Sequence, residues 1–262
     1  MKVTNRDKKK VKFRISFIFL FIIASFVACF TLYMRDDFVI TEDMFEEEVE
    51  DVVYIESVGQ SLCLINPVPL NEKKGEDYYD SAVFIGSKSL AGLSDYGYVK
   101  SGNMLLSDSI KLQNFNTVIL SENGVENTIA ESVLKREVQN VYIMVGLYEV
   151  GNINESETFE QLDAFVDTLK ESNPEIKIYL MSVLPVPSDT EAVVASNADI
   201  DAYNSLLLKF ADRVQVNYLD INTEFKGNDG KLPASAAEIN GLRLKEESYG
   251  RMSDYILRHV AE

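Results

Sequence analysis

The sequence predicts an α/β domain built on a doubly wound parallel sheet and preceded by a single N-terminal transmembrane helix. Three observations carry this reading. Residues 15–34, ISFIFLFIIASFVACFTLYM, form a twenty-residue run without a charge. From residue 81 onward, short apolar runs alternate with segments whose apolar residues recur at helical spacing, the pattern of strands joined by crossover helices. The length, 262 residues, suits one such domain of roughly 180–200 residues plus appendages.

Residues 1–14 are a basic tail, with Lys2, Arg6, Lys8, Lys9, Lys10, Lys12 and Arg14 against a lone acid, Asp7. At about 1.5 Å per residue, segment 15–34 crosses a hydrocarbon core of roughly 30 Å. The basic flank orients the tail to the cytoplasm and the remaining chain outward, a single-pass cell-membrane protein with an extracytoplasmic domain. A cleaved signal peptide is the rival, but its apolar core spans only about 7–15 residues. Here the run continues past the lipoprotein-like FVAC (Phe26 to Cys29) through Phe30, Leu32, Tyr33 and Met34, which favours an uncleaved anchor.

Residues 35–76 read as an acidic stalk, although VVYIESVGQSLCLINPVPL within and around it has enough apolar character to lie on the domain. Residues 77–262 form the domain itself. SAVFIG is the first buried-type strand, NTVIL (116–120) a β-rich insertion, and VENTIAESVLKREV (125–138) a helix. NVYIMVG (140–146) is the clearest central strand. Phe159, Leu162, Phe165, Val166 and Leu169 share a helical face that ends before Pro174. IKIYLMSVLPV is a third core strand, ADIDAYNSLLLKFADR a helix, VNYLDI a fourth strand, and LKEESYGRMSDYILRHVAE the closing helix. Ligand crevices in such sheets open beyond the carboxyl ends of the strands. The informative segments therefore follow SAVFIG, follow VYIMVG, and precede the last helix.

The inventory narrows the chemistry. Total charge is −17; with +6 on residues 1–14, the rest carries −23, which repels nucleic acid and anionic headgroups. Of the two cysteines, Cys29 lies in the span and Cys63 outside it, so the outer domain has neither an internal disulfide nor a metal-binding cysteine cluster. His259 is the sole histidine and sits at the end of the last helix. That excludes a histidine metal site and a conventional Ser-His hydrolase. No metal or cofactor is expected. GSKS (86–89) lacks the glycine spacing of a P-loop.

In order, DYYDSAVFIGSKSLAGL, SGNML, VYIMVGLYEVG, MSVLPVP and NGLRLKEESYGRMSDYI resemble the blocks of the SGNH (GDSL-type) hydrolases across about residues 77–258. The resemblance implies a flavodoxin-like sheet and an ester-hydrolysing Ser-Asp-His triad with an oxyanion hole. Carried over position by position, Gly86 matches the motif glycine, Ser87 replaces the aspartate beside it, and Lys88 stands at the nucleophile. Gly102 matches the second-block glycine. Gly146 matches in the third block, where Tyr148 replaces the oxyanion asparagine and Glu149 keeps the acidic position. Asn240 replaces the triad aspartate and Arg243 the histidine. The chain thus resembles a degenerate member of the family, a pseudoenzyme. Its pocket is expected to comprise these residues and Ser89, with Lys88 and Arg243 converging near a helix N-terminus that suits an anion, unless Glu149 and Tyr148 close it as a structural plug.

Two functions stay open. One is a non-catalytic binding or accessory module of cell-envelope glycan modification, with an acidic or acylated glycan and an envelope acyltransferase as partners. The other is an envelope esterase or acyltransferase using Ser89 or Ser87 with Lys88 as base. Adjacent helical residues point about 100° apart, which places Lys88 poorly for either serine. Tyr78 and Tyr79 cap the first strand or line the pocket rim, and residues 185–201 form a surface loop or a lid over the strand ends.

Overall fold

Strands whose every residue is buried set the centre of the sheet. The computed structural model describes residues 64–122, 124–151, 158–238 and 241–262. Its strands are β1 (Ala82–Gly86), β2 (Met104–Leu106), β3 (Ile119–Glu122), β4 (Val125–Thr128), β5 (Asn140–Met144), β6 (Lys177–Met181) and β7 (Asn217–Leu219). Its α-helices are α1 (Gly92–Asp95), α2 (Ile129–Leu134), α3 (Glu160–Ser172), α4 (Asn197–Arg213), α5 (Ile221–Phe225) and α6 (Glu246–Arg258). Five strands pair in the order β2-β1-β5-β6-β7, all parallel. Counted within that sheet the order is 2-1-3-4-5, the flavodoxin-like arrangement. β1 and β5, in the middle, are buried along their whole length, as strands covered on both faces must be.

Alternation along each strand sorts side chains into two layers. Val83, Ile85, Val141 and Ile143 face the side packed by Phe165 and Leu169 of α3 and Phe210 of α4. Phe84, Tyr142 and Tyr179 face the other side, with Tyr249, Met252 and Ile256 of α6. Phe84, Tyr142 and Tyr179 are register neighbours on β1, β5 and β6. Their rings stack with centroids 4.8 and 4.5 Å apart, adding cross-strand attraction to burial. The Tyr142 hydroxyl donates to Tyr78 Oη at 3.0 Å and Tyr179 Oη accepts from Ala261 N at 3.2 Å, so the aromatic layer buries no orphaned hydroxyl there.

Three expectations change. The helix expected over 125–138 begins only at Ile129. Residues 125–128 instead pair antiparallel with β3 in a hairpin set apart from the main sheet. Thr128 explains the late start, because its hydroxyl accepts from Glu131 N and the Glu131 carboxylate accepts from Thr128 N, a reciprocal cap. Met104–Leu106 forms a sheet strand that the sequence reading passed over. Residues 64–76, assigned to the stalk with lying on the domain as the alternative for its apolar part, lie on the domain. Val68 N donates to Tyr218 O at 2.9 Å, and Asn66 Oδ1 accepts from Tyr218 N at 2.7 Å, so this segment covers the outer edge of β7.

The expected tail, anchor and most of the stalk, residues 1–63, lie outside the described residues. Among the described residues no helix is long and apolar enough to cross a membrane.

α1 crosses α6 at close range. A Cβ on Gly92 would lie 2.0 Å from the Tyr249 ring, so only glycine admits the contact. Gly92→Ala is expected to destabilise the domain by about 1–3 kcal/mol through overpacking, read as a fall of roughly 2–4 °C in Tm per kcal/mol in thermal melts.

Candidate active site

The cleft opens where β1, β5 and β6 end. β1 stops at Gly86, and Ser87 then caps a short 3-10 turn, Lys88–Leu90, which leads into α1. The Ser87 and Ser89 hydroxyls share a hydrogen bond of 2.7 Å, and both residues line the cleft. A 3-10 turn advances about 120° per residue, so two serines facing inward turn the residue between them outward. Lys88 is that residue. Its side chain is 70% exposed, its Nζ lies 3.9 Å from Asp108 Oδ2, and its N–H donates to Asp108 Oδ1 at 3.1 Å.

β5 supplies the second wall. Met144, Val145, Gly146, Leu147, Tyr148 and Glu149 all line the cleft. Gly146 has φ +108°, and a Cβ there would sit 2.3 Å from the Tyr203 ring. That close approach lets the buried Tyr203 hydroxyl donate to Val145 O at 2.8 Å and fix the turn. Tyr148 is half exposed, and burial together with the nearby Asp108 and Glu149 charges raises its phenol. Glu149 is more enclosed. Its Oε1 is buried without a hydrogen-bond partner. Burial raises its carboxyl above the ordinary 4.5, while the Lys111 ammonium and the backbone N–H groups of Glu149 and Tyr148 offset part of the shift.

The third wall is Val183–Val186, where the chain has left β6. Buried asparagines pair its backbone. Val183 N donates to Asn204 Oδ1 at 2.8 Å, and Val183 O accepts from Asn204 Nδ2 at 2.9 Å and Asn222 Nδ2 at 2.8 Å. Val186 exchanges two bonds of 2.9 Å with the Asn197 amide. Glu191, held down to about 2 chiefly by hydrogen bonds from Lys231 and Asn197, ties the following loop to Lys231. Gly241, Leu242 and Leu244, before α6, complete the lining. Room for water-sized molecules is about 40 Å³, the space of roughly three waters at ~10–15 Å³ each. The site is a narrow, mostly apolar slot, neither shut nor broad.

Ser87, Ser89, Gly146, Tyr148 and Glu149 are therefore brought together, with Gly86 ending the strand beneath them. Three expected members are not in the lining. Lys88 turns to solvent for the reason given. Arg243 turns away to Asp95 at the end of α1, 2.7 Å from Nη2 to Oδ2, and also bonds Tyr249, whose hydroxyl donates to Ser89 O. The two cations do not converge: each pairs with its own carboxylate, and Arg243 braces the α1–α6 junction behind the serine turn. Gly102 precedes β2, in the 3-10 turn Ser101–Asn103. Because β2 runs parallel to β1, Gly102 lies at the opposite end of the sheet from Gly86. Asn103 Nδ2 donates to Tyr79 O, just before β1, at 2.7 Å. The segment that does reach the cleft from β2 is Ser107–Ile110, whose Ser107 N donates to Gly86 O at 3.0 Å. Asn240 lies outside the described residues.

His259 is at that far end too. Its ring stacks on Tyr255 at 3.8 Å, and Ala261 O, two residues on, accepts from Lys177 Nζ at the start of β6. Sequence reasoning missed Val183–Val186, Leu242 and Leu244. The signal for the first was MSVLPV, where apolar residues continue into prolines that cannot extend a central strand.

Residues 112–240 match the family described as GDSL-like Lipase/Acylhydrolase. The chain is similar to GDSL-like lipases and acylhydrolases over that segment. The matched segment covers the β5 and β6 walls of the slot and leaves out β1, the Ser87–Ser89 turn and Arg243. Among solved structures, the chain is similar to a Streptococcus pneumonia protein assigned as a platelet activating factor, at 17% identity and TM-score 0.53 over 69% of this chain and 87% of that one. It is also similar to a Desulfitobacterium hafniense DCB-2 protein assigned to the G-D-S-L lipolytic proteins, at 17% identity and TM-score 0.50 over 68% and 98%. These likenesses establish the shared fold. A comparison with curated proteins gave no match.

The enclosed Glu149 carboxyl makes a signed prediction. With its folded value raised, the group contributes stability fully below 4.5 and loses it as pH rises through that folded value. Glu149→Gln, neutral and similar in shape, is expected to raise Tm at about pH 7.5 and to leave it unchanged near about pH 4. Thermal melts at the two pH values check this.

Proposed function

We propose that this chain is a membrane-anchored, extracytoplasmic GDSL-like domain that binds a short acyl group of an envelope glycan without hydrolysing it. In this reading it serves an acyltransferase or esterase carried by another protein. The observation that carries the proposal is the outward turn of Lys88. Two serine hydroxyls face the slot, yet the residue that would serve as their base is 70% exposed and beside Asp108. His259 belongs to the opposite end of the sheet.

A positioned general base contributes about 10²–10⁴-fold. Triad-deficient serine hydrolases keep only roughly 10³–10⁴-fold over water, from the oxyanion hole and binding. Here Tyr148 stands at the asparagine position of that hole and Gly102 is remote, so even this residue of activity lacks its usual donors. The apolar slot beside the hydroxyls retains what an acyl group needs. The anchor and orientation rest on residues 15–34 and on the basic tail before them.

The full-length chain in detergent is expected to cleave p-nitrophenyl acetate no faster than buffer, with Ser89→Ala and Ser87→Ala indistinguishable from it. Turnover that either substitution abolishes establishes the esterase reading instead. Protease added outside intact cells is expected to release the domain by cutting between residues 35 and 63. Full protection overturns the outward orientation.

A further inference from the structure

The polar groups of the slot are not those that an ester requires. Two serines bring two hydroxyl hydrogens, and their mutual bond of 2.7 Å uses one. Ser87 Oγ also accepts from Ser89 N at 3.4 Å. One O–H donor is therefore left over. Glu149 brings the opposite element, a buried Oε1 that accepts from nothing. Between them the lining is apolar, with Ile110, Val145, Val183, Leu184 and Leu242. A buried acceptor left unmatched carries a desolvation cost that a ligand donor would remove.

A ligand complementary to this set carries an acceptor, a donor and a small apolar group. An acetate ester offers the carbonyl and the methyl but no donor, and its alkoxy oxygen would only add a second acceptor near Glu149. An acetamido group offers all three: the carbonyl for the serine hydroxyl, the N–H for the Glu149 carboxylate that lines the slot, and the methyl for the apolar wall. The slot is narrow, with room for roughly three waters, which accommodates a small group.

We infer that the slot selects N-acetyl over O-acetyl groups, with Glu149 as the residue that reads the amide N–H. This rests on the reading of the slot as an acyl site and specifies which acyl linkage it takes.

Three probes separate the two levels: N,N′-diacetylchitobiose, its deacetylated glucosamine disaccharide, and O-acetylated xylobiose, each titrated by NMR against the full-length chain in detergent. The expected order is diacetylchitobiose roughly tenfold tighter than O-acetylated xylobiose, with the deacetylated disaccharide weakest. Glu149→Leu is expected to remove the preference by weakening only the N-acetyl probe, while Glu149→Gln, which keeps an acceptor oxygen, retains most of it. Equal or tighter binding of the O-acetyl probe overturns the selectivity and leaves the acyl site standing. A preference that persists in Glu149→Leu overturns the role of Glu149. Binding of neither acetylated probe overturns the acyl site and the inference with it.

Discussion

The slot depends on one constraint: the backbone beyond β6 must leave the sheet and still be paired. Val183 and Val186 have no strand beside them, yet they are buried. Their amide groups would cost about 1–3 kcal/mol each if left without partners. Asn197 and Asn204, about two turns apart on α4, present side-chain amides that give and receive like a neighbouring strand. Asn222 adds a second donor to Val183 O and takes Ser182 Oγ on its own N–H. Because the pairing comes from a helix and not from a strand, the wall can stand away from β5 and leave space between them.

Around that space the nearby cations are turned outward. The strand-to-turn geometry after Gly86 still delivers hydroxyls to the cleft, through Ser87 and Ser89 and not through the position between them. Lys88 and Arg243 are surface and bracing groups, tied to Asp108 and Asp95. Exposed pairs of this kind contribute little to stability. What remains inside is weakly polar, and burial raises its one carboxyl, Glu149, above the ordinary carboxylate range.

The fold was legible because its determinants are periodic. Buried apolar runs at 82–86, 140–144 and 177–181 announce parallel strands whatever their neighbours are. β2 escaped notice because three residues, Met104–Leu106, of which only Leu105 is fully buried, carry too short a pattern, and that omission put Gly102 at the wrong end of the sheet. A glycine motif says that backbone passes closely, not on which side of a strand it lies. Lys88 and Arg243 were misplaced for a related reason: sequence position fixes a Cα, whereas long side chains go where a carboxylate receives them, and neither Asp108 nor Asp95 is adjacent in sequence to the cation it pairs with. Glu149 was named from its motif position, but its enclosure could not be read without the packing of Tyr203 and Val145 behind it.

The aromatic layer on the α6 side has an optical consequence. The chain contains thirteen tyrosines and no tryptophan, so its near-ultraviolet signals come from phenols that nothing masks. Tyr78, Tyr142 and Tyr179 form one hydrogen-bonded group across β5 and β6, and burial pushes each of them up, with their mutual proximity adding to the shift at Tyr78 and Tyr142. Their absorbance and dichroism therefore report the integrity of the central strands, and their ionisation in alkali marks the opening of the sheet. The protein carries its own chromophore for its core.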